Sequence, residues 1–238
     1  MRSGERVTSP ADNNADLHVP MEDIAQFVRQ LSHDLRNHLN AAELQAAYIN
    51  EVAEDAELKS ELQRLRSMLS EMGGSLGRLT TSLAPVTLTE MPYEAVSFME
   101  DLREKIATQF TKENLAIEWK LEVGNAMLQI DPQFLQQAFL ELFANAVTHA
   151  PGGGPLLATA ETRDGEFHFT LREPKEAETV GTEQWGRQPF RKVRHGHYGL
   201  GLRRVRAIID AHHGRLDARS EASALVTTVV LPLAVEQK

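Results

Sequence analysis

Cysteine is absent from the 238 residues, which excludes a disulfide framework, a thiolate metal site and a cysteine nucleophile. Positive charge is scarce: 25 Lys and Arg face 34 Asp and Glu, a net charge of −9. A protein whose main partner is nucleic acid normally carries the opposite surplus, so no nucleic-acid partner is expected. No apolar run approaches the about 20 residues that span a bilayer, and residues 1–20 lack an apolar signal core. A cytoplasmic protein with no membrane segment in this chain is the expectation. With 42% hydrophobic and 25% charged residues the chain can bury a core, and its length fits one large domain or two modest ones.

Residues 1–20 are polar and aperiodic and read as a mobile tail. From Met21 apolar residues recur at helical steps: Ile24, Phe27, Val28, Leu31, Leu35, Leu39, Ala42, Ala46, Ile49. Helical spacing resumes with Leu58, Leu62, Leu65, Leu69, Met72, Leu76, Leu79 and Leu83, before Pro85. Residues 21–85 thus predict a helical hairpin, and two helices alone cannot enclose their apolar stripes. Pairing with a second copy as a four-helix bundle is expected.

Residues 86–238 mix helix and strand. Helices are predicted at 94–110, Pro132–Ala150 and Leu200–His212, the second capped by Asp131 and the third closed by Gly214. Strands are predicted at 115–122, Ala126–Ile130, Leu156–Thr162, Glu166–Leu171, Arg215–Arg219 and Leu225–Leu231, with a hairpin turn at Arg163-Asp164-Gly165. The overall expectation is α+β, a helical hairpin followed by an α/β sandwich.

Three segments carry candidate chemistry. In Leu31-Ser32-His33-Asp34-Leu35-Arg36-Asn37, Leu31 and Leu35 lie on the inward stripe, and His33 points about 200° away from Leu31, toward solvent. An exposed imidazole beside a carboxylate can be a nucleophile, with Asp34 accepting the proton as the other nitrogen attacks phosphorus. Equally, it is one His and one Asp on a solvated helix face. In the second segment, Glu141, Asn145 and His149 follow one another by single turns on one face of a helix. A carboxamide oxygen there suits Mg²⁺, which favours oxygen donors and shares them with phosphates. The third is Gly196-His-Tyr-Gly199-Leu-Gly201-Leu202, opening a helix, where backbone amides can approach phosphate oxygens. Between Gly186 and Arg206 stand Arg187, Arg191, Lys192, Arg194, Arg203, Arg204 and Arg206 with no acidic residue, which suggests an anion site or a dock for an acidic partner. A metal site built from His195, His197, His212 and His213 is not expected, because adjacent helical side chains diverge by about 100°. Solvent-facing or phosphate-contacting imidazoles are the alternative reading.

In this order the segments resemble the boxes of two-component sensor histidine kinases over residues 21–233. Ser32–Asn37 is similar to the phosphoacceptor box, Glu141–Ala146 to the asparagine box of the GHKL (Bergerat-type) ATPase fold, and Gly196–Leu202 to its last glycine box. Arg187-Gln-Pro-Phe190 is similar to the lid's phenylalanine box. The resemblance implies that His33 is phosphorylated, that Asp34 is its acid/base partner, and that Asn37 orients water for dephosphorylating a partner. It implies further that Asn145 holds Mg²⁺ and that ATP is bound near Glu141, Glu173, Gly196, Gly199 and Gly201. The implied partners are a second copy of the chain and the receiver domain of a response regulator, whose Asp takes the phosphoryl group.

Two departures stand out. The adenine-reading Asp-x-Gly-x-Gly box is here Glu173-Pro-Lys175-Glu-Ala177. Glu173 can still accept a hydrogen bond from the adenine amino group, but Lys175 and Ala177 would crowd the approach. If nucleotide binding is lost, the chain is an ATP-independent histidine phosphotransferase or scaffold. A third reading is an ATPase in which Glu141 activates water. The other departure is that only twenty polar residues precede the first helix. The input signal is therefore expected through a partner, unless the sequence is a piece of a longer one.

Overall fold

The computed structural model describes residues 20–111, 116–149, 154–175 and 200–234. The chain divides into two compact units between Leu76 and Gly77.

The first unit is a helical hairpin of α1 (Met21–Val52) and α2 (Ala56–Leu83), the latter continuing past the division. Asp55 starts α2 by accepting from the backbone N–H groups of Glu57 at 2.7 Å and Leu58 at 3.2 Å, which satisfies two of the donors a helix start leaves open. Ala25, Ser32, Ala46 and Leu62 are buried in the single chain, so the helices meet mainly through small residues. Leu31 and Leu35, expected to face inward, instead remain 45% and 41% exposed, and Phe27, Tyr48, Leu65 and Met68 are exposed beside them. Two helices cover only one strip of each other, and a stripe about 100° wide exceeds that strip.

The second unit contains β1 (Met91–Glu94), α3 (Ala95–Gln109), β2 (Ile117–Glu122), β3 (Met127–Ile130), α4 (Pro132–His149), β4 (Leu156–Arg163), β5 (Glu166–Pro174), α5 (Gly201–Ala211), β6 (Arg215–Glu221) and β7 (Ala224–Pro232). Five strands form one sheet in the order β2-β4-β5-β7-β6, with β2 parallel to β4 and all other neighbours antiparallel. The strand β1, absent from the sequence reading because four residues containing a proline give no alternation, pairs with β3 in a separate two-stranded sheet. The turn between β4 and β5 is the expected one: Asp164 and Gly165 both take positive φ, 53° and 77°, as a two-residue type I′ hairpin requires.

One face of the sheet carries the core. Phe167, Phe169 and Leu171 alternate inward from β5 and meet the helices. Phe139 of α4 packs edge-on against Phe169 at 4.6 Å and Phe98 of α3 at 5.6 Å, and Phe143 stacks on Trp119 of β2 at 5.7 Å. The register Trp119–Ala158–Leu171 shows the direction of α4, which runs from the level of Phe169 toward the level of Leu171 and the end of β5. The other face is a lattice of ion pairs, including Glu166–Arg215 at 2.9 Å and Arg163–Glu161 at 3.3 Å.

Helices α4 and α5 run antiparallel and are tied at one end. Asp131 caps α4, its carboxylate accepting from the N–H groups of Gln133 and Phe134, both at 3.1 Å, and from Thr89 at 2.9 Å. The Asp131 N–H in turn donates to Nε2 of His212, at the end of α5, at 3.0 Å. Nδ1 of His212 lies 2.7 Å from the Ile208 carbonyl, so Nδ1 carries the proton and the buried imidazole is a structural clasp. It is neither solvent-facing nor a phosphate ligand, contrary to expectation. The left-handed residue closing α5 is His213, with φ 58°, not Gly214. Gly214 is needed for space, because a Cβ there would stand 2.5 Å from the Val230 carbonyl oxygen.

Burial alone would raise the Asp131 pKa, but the backbone donors Thr89, Phe134 and Gln133 outweigh it and hold the carboxyl below its ordinary 3.8. A depressed folded-state value stabilises the protein above the unfolded pKa and is lost as pH falls through the folded one. Asp131→Ala should therefore cost about 1–2 kcal/mol at neutral pH in denaturant unfolding. Its deficit relative to the wild type should shrink below pH ~4 as the wild-type carboxyl protonates.

Candidate functional site

The candidate residues fall into one group on each unit. On α1, the His33 side chain is 68% exposed and that of Asp34 54% exposed. Nδ1 of His33 lies 3.2 Å from Asp34 Oδ1 and 3.5 Å from Asn37 Nδ2, while Gln30 donates to the same Asp34 oxygen at 3.0 Å. The helix thus brings together all three residues expected there: Asp34 is the next residue and Asn37 is one turn on. When Nδ1 carries the proton and donates it to Asp34, Nε2 keeps its lone pair and faces away from both partners. Ser32, about 100° round the helix from His33, is buried, which fixes which way this face turns.

On the second unit the asparagine-bearing segment and the last glycine of the Gly-rich segment meet. A Cβ on Gly201 would stand 1.9 Å from Glu141 Oε1 and 2.8 Å from its Cδ, so the Glu141 carboxylate occupies the space a side chain would take at the start of α5. The Glu141 carboxylate thereby sits at the positive end of the α5 dipole. One turn beyond it, the Nδ2 atom of Asn145 is buried and has no hydrogen-bond partner among the described residues. A buried amide without a partner loses about 1–3 kcal/mol of hydrogen bonding, a loss a ligand can restore. No cluster of three His, Cys, Asp or Glu able to hold a metal exists among the described residues. A divalent ion near Asn145 would therefore need most of its oxygens from elsewhere, which fits Mg²⁺ carried in on phosphates and not an all-protein cage.

Glu173 ends the inward row of β5, two residues past Leu171 and at the end of the sheet toward which α4 runs. Its carboxylate is buried and lies 3.0 Å from Nζ of Lys175, whose side chain is only 9% exposed. Sequence reasoning placed a carboxylate here but missed the pairing. The available signal was spacing: Lys175 is two residues past Glu173, just beyond the end of β5.

The basic segment is only partly an anion site. Arg204 is buried, donates to the Ala84 carbonyl at 2.6 Å and lies 5.3 Å over the Phe134 ring, and Arg206 donates to the Leu216 carbonyl at 2.9 Å. Both guanidiniums hold structure, which corrects their expected role. Gly196 and Gly199, together with Arg187, Phe190, Arg191, Lys192, Arg194, His195, His197 and Ala177, lie outside the described residues. Two cavities of about 390 and 800 Å³ open between α3 and α4, lined by Lys105, Gln133 and Gln136, and the smaller also touches Glu141. They lie beside the Asn145 site and do not coincide with it. No helix among the described residues is long and apolar enough to cross a membrane.

Residues 130–235 match the model of the histidine kinase-, DNA gyrase B- and HSP90-like ATPase family. The chain is 25% identical over 215 residues to the sensor histidine kinase ZraS of Klebsiella oxytoca, a match covering 87% of this chain and 46% of that protein. It is 30% identical over 222 residues to the sensor protein PfeS of Pseudomonas aeruginosa, covering 87% and 47% respectively. The chain thus spans about half the length of these relatives. Among solved structures, full-length ShkA in complex with AMPPNP aligns with TM-score 0.70 at 21% identity, over 89% of this chain and 46% of that one. The histidine kinase AdeS of Acinetobacter baumannii aligns with TM-score 0.54 at 20% identity, over 85% of this chain and 98% of that one. These alignments establish the fold, a helical part followed by a GHKL-type α/β sandwich. By sequence and fold together, the chain is a homologue of the two-component sensor histidine kinases and carries their ATPase domain behind a helical hairpin.

Proposed function

We propose that the chain is an ATP-dependent protein histidine kinase that phosphorylates its own His33 and passes the phosphoryl group to an Asp of a response-regulator receiver domain. The observation that carries the nucleotide half of this reading is the junction of Glu141, Asn145 and Gly201. There a glycine-opened helix start lies against α4, one turn from a buried amide without a partner. A helix N-terminus opened by glycine presents backbone N–H groups to phosphate oxygens, and Asn145 can turn its carboxamide oxygen toward the ion that travels with them. Mg²⁺, when bound, would neutralise charge on the transferring group. The AMPPNP in the ShkA structure agrees with a nucleotide in this fold.

The other half is the His33 face. Nε2 attacks the γ-phosphorus, the bond from that phosphorus to the ADP oxygen breaks, and ADP leaves with the electron pair. The Nδ1 proton is held by Asp34 at 3.2 Å, which disperses the positive charge that develops on the ring. Asn37, at 3.5 Å from the same ring, would orient a water for dephosphorylating the partner receiver domain. Phosphoryl transfer needs positioning and charge stabilisation more than protein covalent chemistry, and these residues supply both. One observation favours the ATP-independent phosphotransferase instead: Lys175 already holds Glu173.

The exposed stripe of Phe27, Leu31, Leu35, Leu65 and Met68 supports a homodimer. A patch of that extent is covered by a second hairpin in a four-helix bundle that leaves His33 outside.

Incubation with γ-labelled ATP and Mg²⁺ should give an acid-labile label that disappears in His33→Gln. No label at high ATP defeats the kinase reading, and uptake only from a phosphorylated receiver domain selects the phosphotransferase. Gly201→Ala displaces the Glu141 carboxylate from the start of α5 and sets a methyl beside the backbone amides there, and should weaken ATP binding severalfold, with His33 still able to take phosphate from a receiver. Light scattering should report a dimer for the wild type and a monomer for Leu65→Glu with Leu69→Glu. A wild-type monomer at micromolar concentration contradicts the bundle.

A further inference from the structure

Arg204 is a buried charge that the phosphotransfer chemistry leaves unused. It is 7% exposed, and one of its five donors serves the Ala84 carbonyl at 2.6 Å, while its buried Nε has no hydrogen-bond partner among the described residues. Burial, and after it the neighbouring Arg203, hold its pKa below the ordinary value, and no carboxylate among the described residues offsets them. An apolar side chain of similar length would fill the space over the Phe134 ring without that desolvation, so packing does not account for the charge. What the guanidinium holds is the end of a weak helix. Ala84 directly follows α2, and a helix cannot satisfy its own last carbonyls. The helix arrives there through Gly73, Gly74 and Gly77 and then Thr80, Thr81 and Ser82, all poor helix formers. A Cβ on Gly73 would meet nothing within 4 Å, so packing does not call for glycine there. The two compact units divide in this same stretch, between Leu76 and Gly77. Upstream, α2 is tied to the His33-bearing α1 by Arg66 and Glu43 at 3.8 Å.

We propose that Arg204 is a positioning residue that ties the helical state of the end of α2 to nucleotide occupancy at the start of α5. The proposal rests on the nucleotide reading given above and adds a link from that site to the helix it shares with the His33 hairpin. Arg204 stands on the first turn of α5, three residues past Gly201. Its N–H donates to the Leu200 carbonyl at 2.9 Å, the bond that closes this turn. Phosphate oxygens that accept from the free N–H groups at the helix start favour a formed first turn. A formed turn holds the guanidinium on the Ala84 carbonyl, and that bond favours the helical state of residues 77–83 over a frayed one. The last two turns of α2 are thus the two-state element, and α5 biases them through one side chain.

The test is hydrogen exchange, read by mass spectrometry on the full chain with and without Mg²⁺–ATP, for the wild type, Arg204→Met and Arg204→Lys. Calorimetry on the same proteins measures ATP binding, and thermal unfolding without nucleotide shows that each is folded. In the wild type ATP should slow exchange at residues 77–84 by about tenfold. Arg204→Met should lose that response while binding ATP within about threefold of the wild type, and its kcat for labelling His33 should fall about tenfold at unchanged KM. Arg204→Lys keeps one donor for the Ala84 carbonyl and should recover part of both. Adding Gly73→Ala, Gly74→Ala and Gly77→Ala to Arg204→Met should hold residues 77–84 helical without the clasp and restore the labelling rate. ATP binding with unchanged exchange at 77–84 in the wild type overturns the proposal and leaves the kinase reading intact, whether or not the variants fold. An ATP response in Arg204→Met equal to that of the wild type does the same. If the wild type binds no ATP, both fail.

Discussion

The antiparallel packing of α4 on α5 is the constraint on which the candidate nucleotide site depends. It is held at two points of different chemistry. At one end a neutral imidazole with an assigned tautomer, His212, accepts from the Asp131 N–H while its other nitrogen faces its own helix. At the other the absence of a side chain at Gly201 lets Glu141 reach the start of α5. The first contact sets where α4 begins, and α4's own length then carries Asn145 past that junction, so the orphaned amide and the open helix start are products of one geometry. The aromatic ladder Phe98–Phe139–Phe169 and the Phe143–Trp119 stack fix the same helix against the sheet, which leaves it no freedom to rotate Asn145 away.

The hairpin obeys a different logic. In the first unit its two helices are joined by small buried residues, Ala25, Ser32 and Ala46, together with Leu62, and many of its bulkier apolar side chains are left outside. A seam of small residues brings helices close and buries little area. The free energy available to this unit therefore lies in the stripe that remains exposed. The exposed polar face of α1 has the reverse character. His33 lies within reach of both Asp34 and Asn37 on an exposed face, so their chemistry can change without disturbing the packing beneath.

Much of this was legible in the sequence because the relevant signals are local. Asp131-Pro132 announces a helix start by the capping oxygen and the ring that fixes φ, and Asp164-Gly165 announces a type I′ turn by its tolerance of positive φ. The exposure of His33 followed from counting around a helix. What was not legible depends on distant partners. That Arg204 is consumed by Ala84 and Phe134, that His212 is a clasp, and that Leu31 and Leu35 stay outside all require knowing which elements meet. The four-residue β1 carried no periodicity to read, and it exists because β3 offers it an edge.

Hydrogen exchange read by mass spectrometry, with and without Mg²⁺–ATP, tests the central claim most directly, that the α4–α5 junction receives the nucleotide. The account predicts slowed exchange in the C-terminal half of α4 around Asn145 and in the first turn of α5 at Gly201–Arg204. Protection confined to the groove between α3 and α4, around Lys105 and Gln136, with no change at the junction, would contradict it.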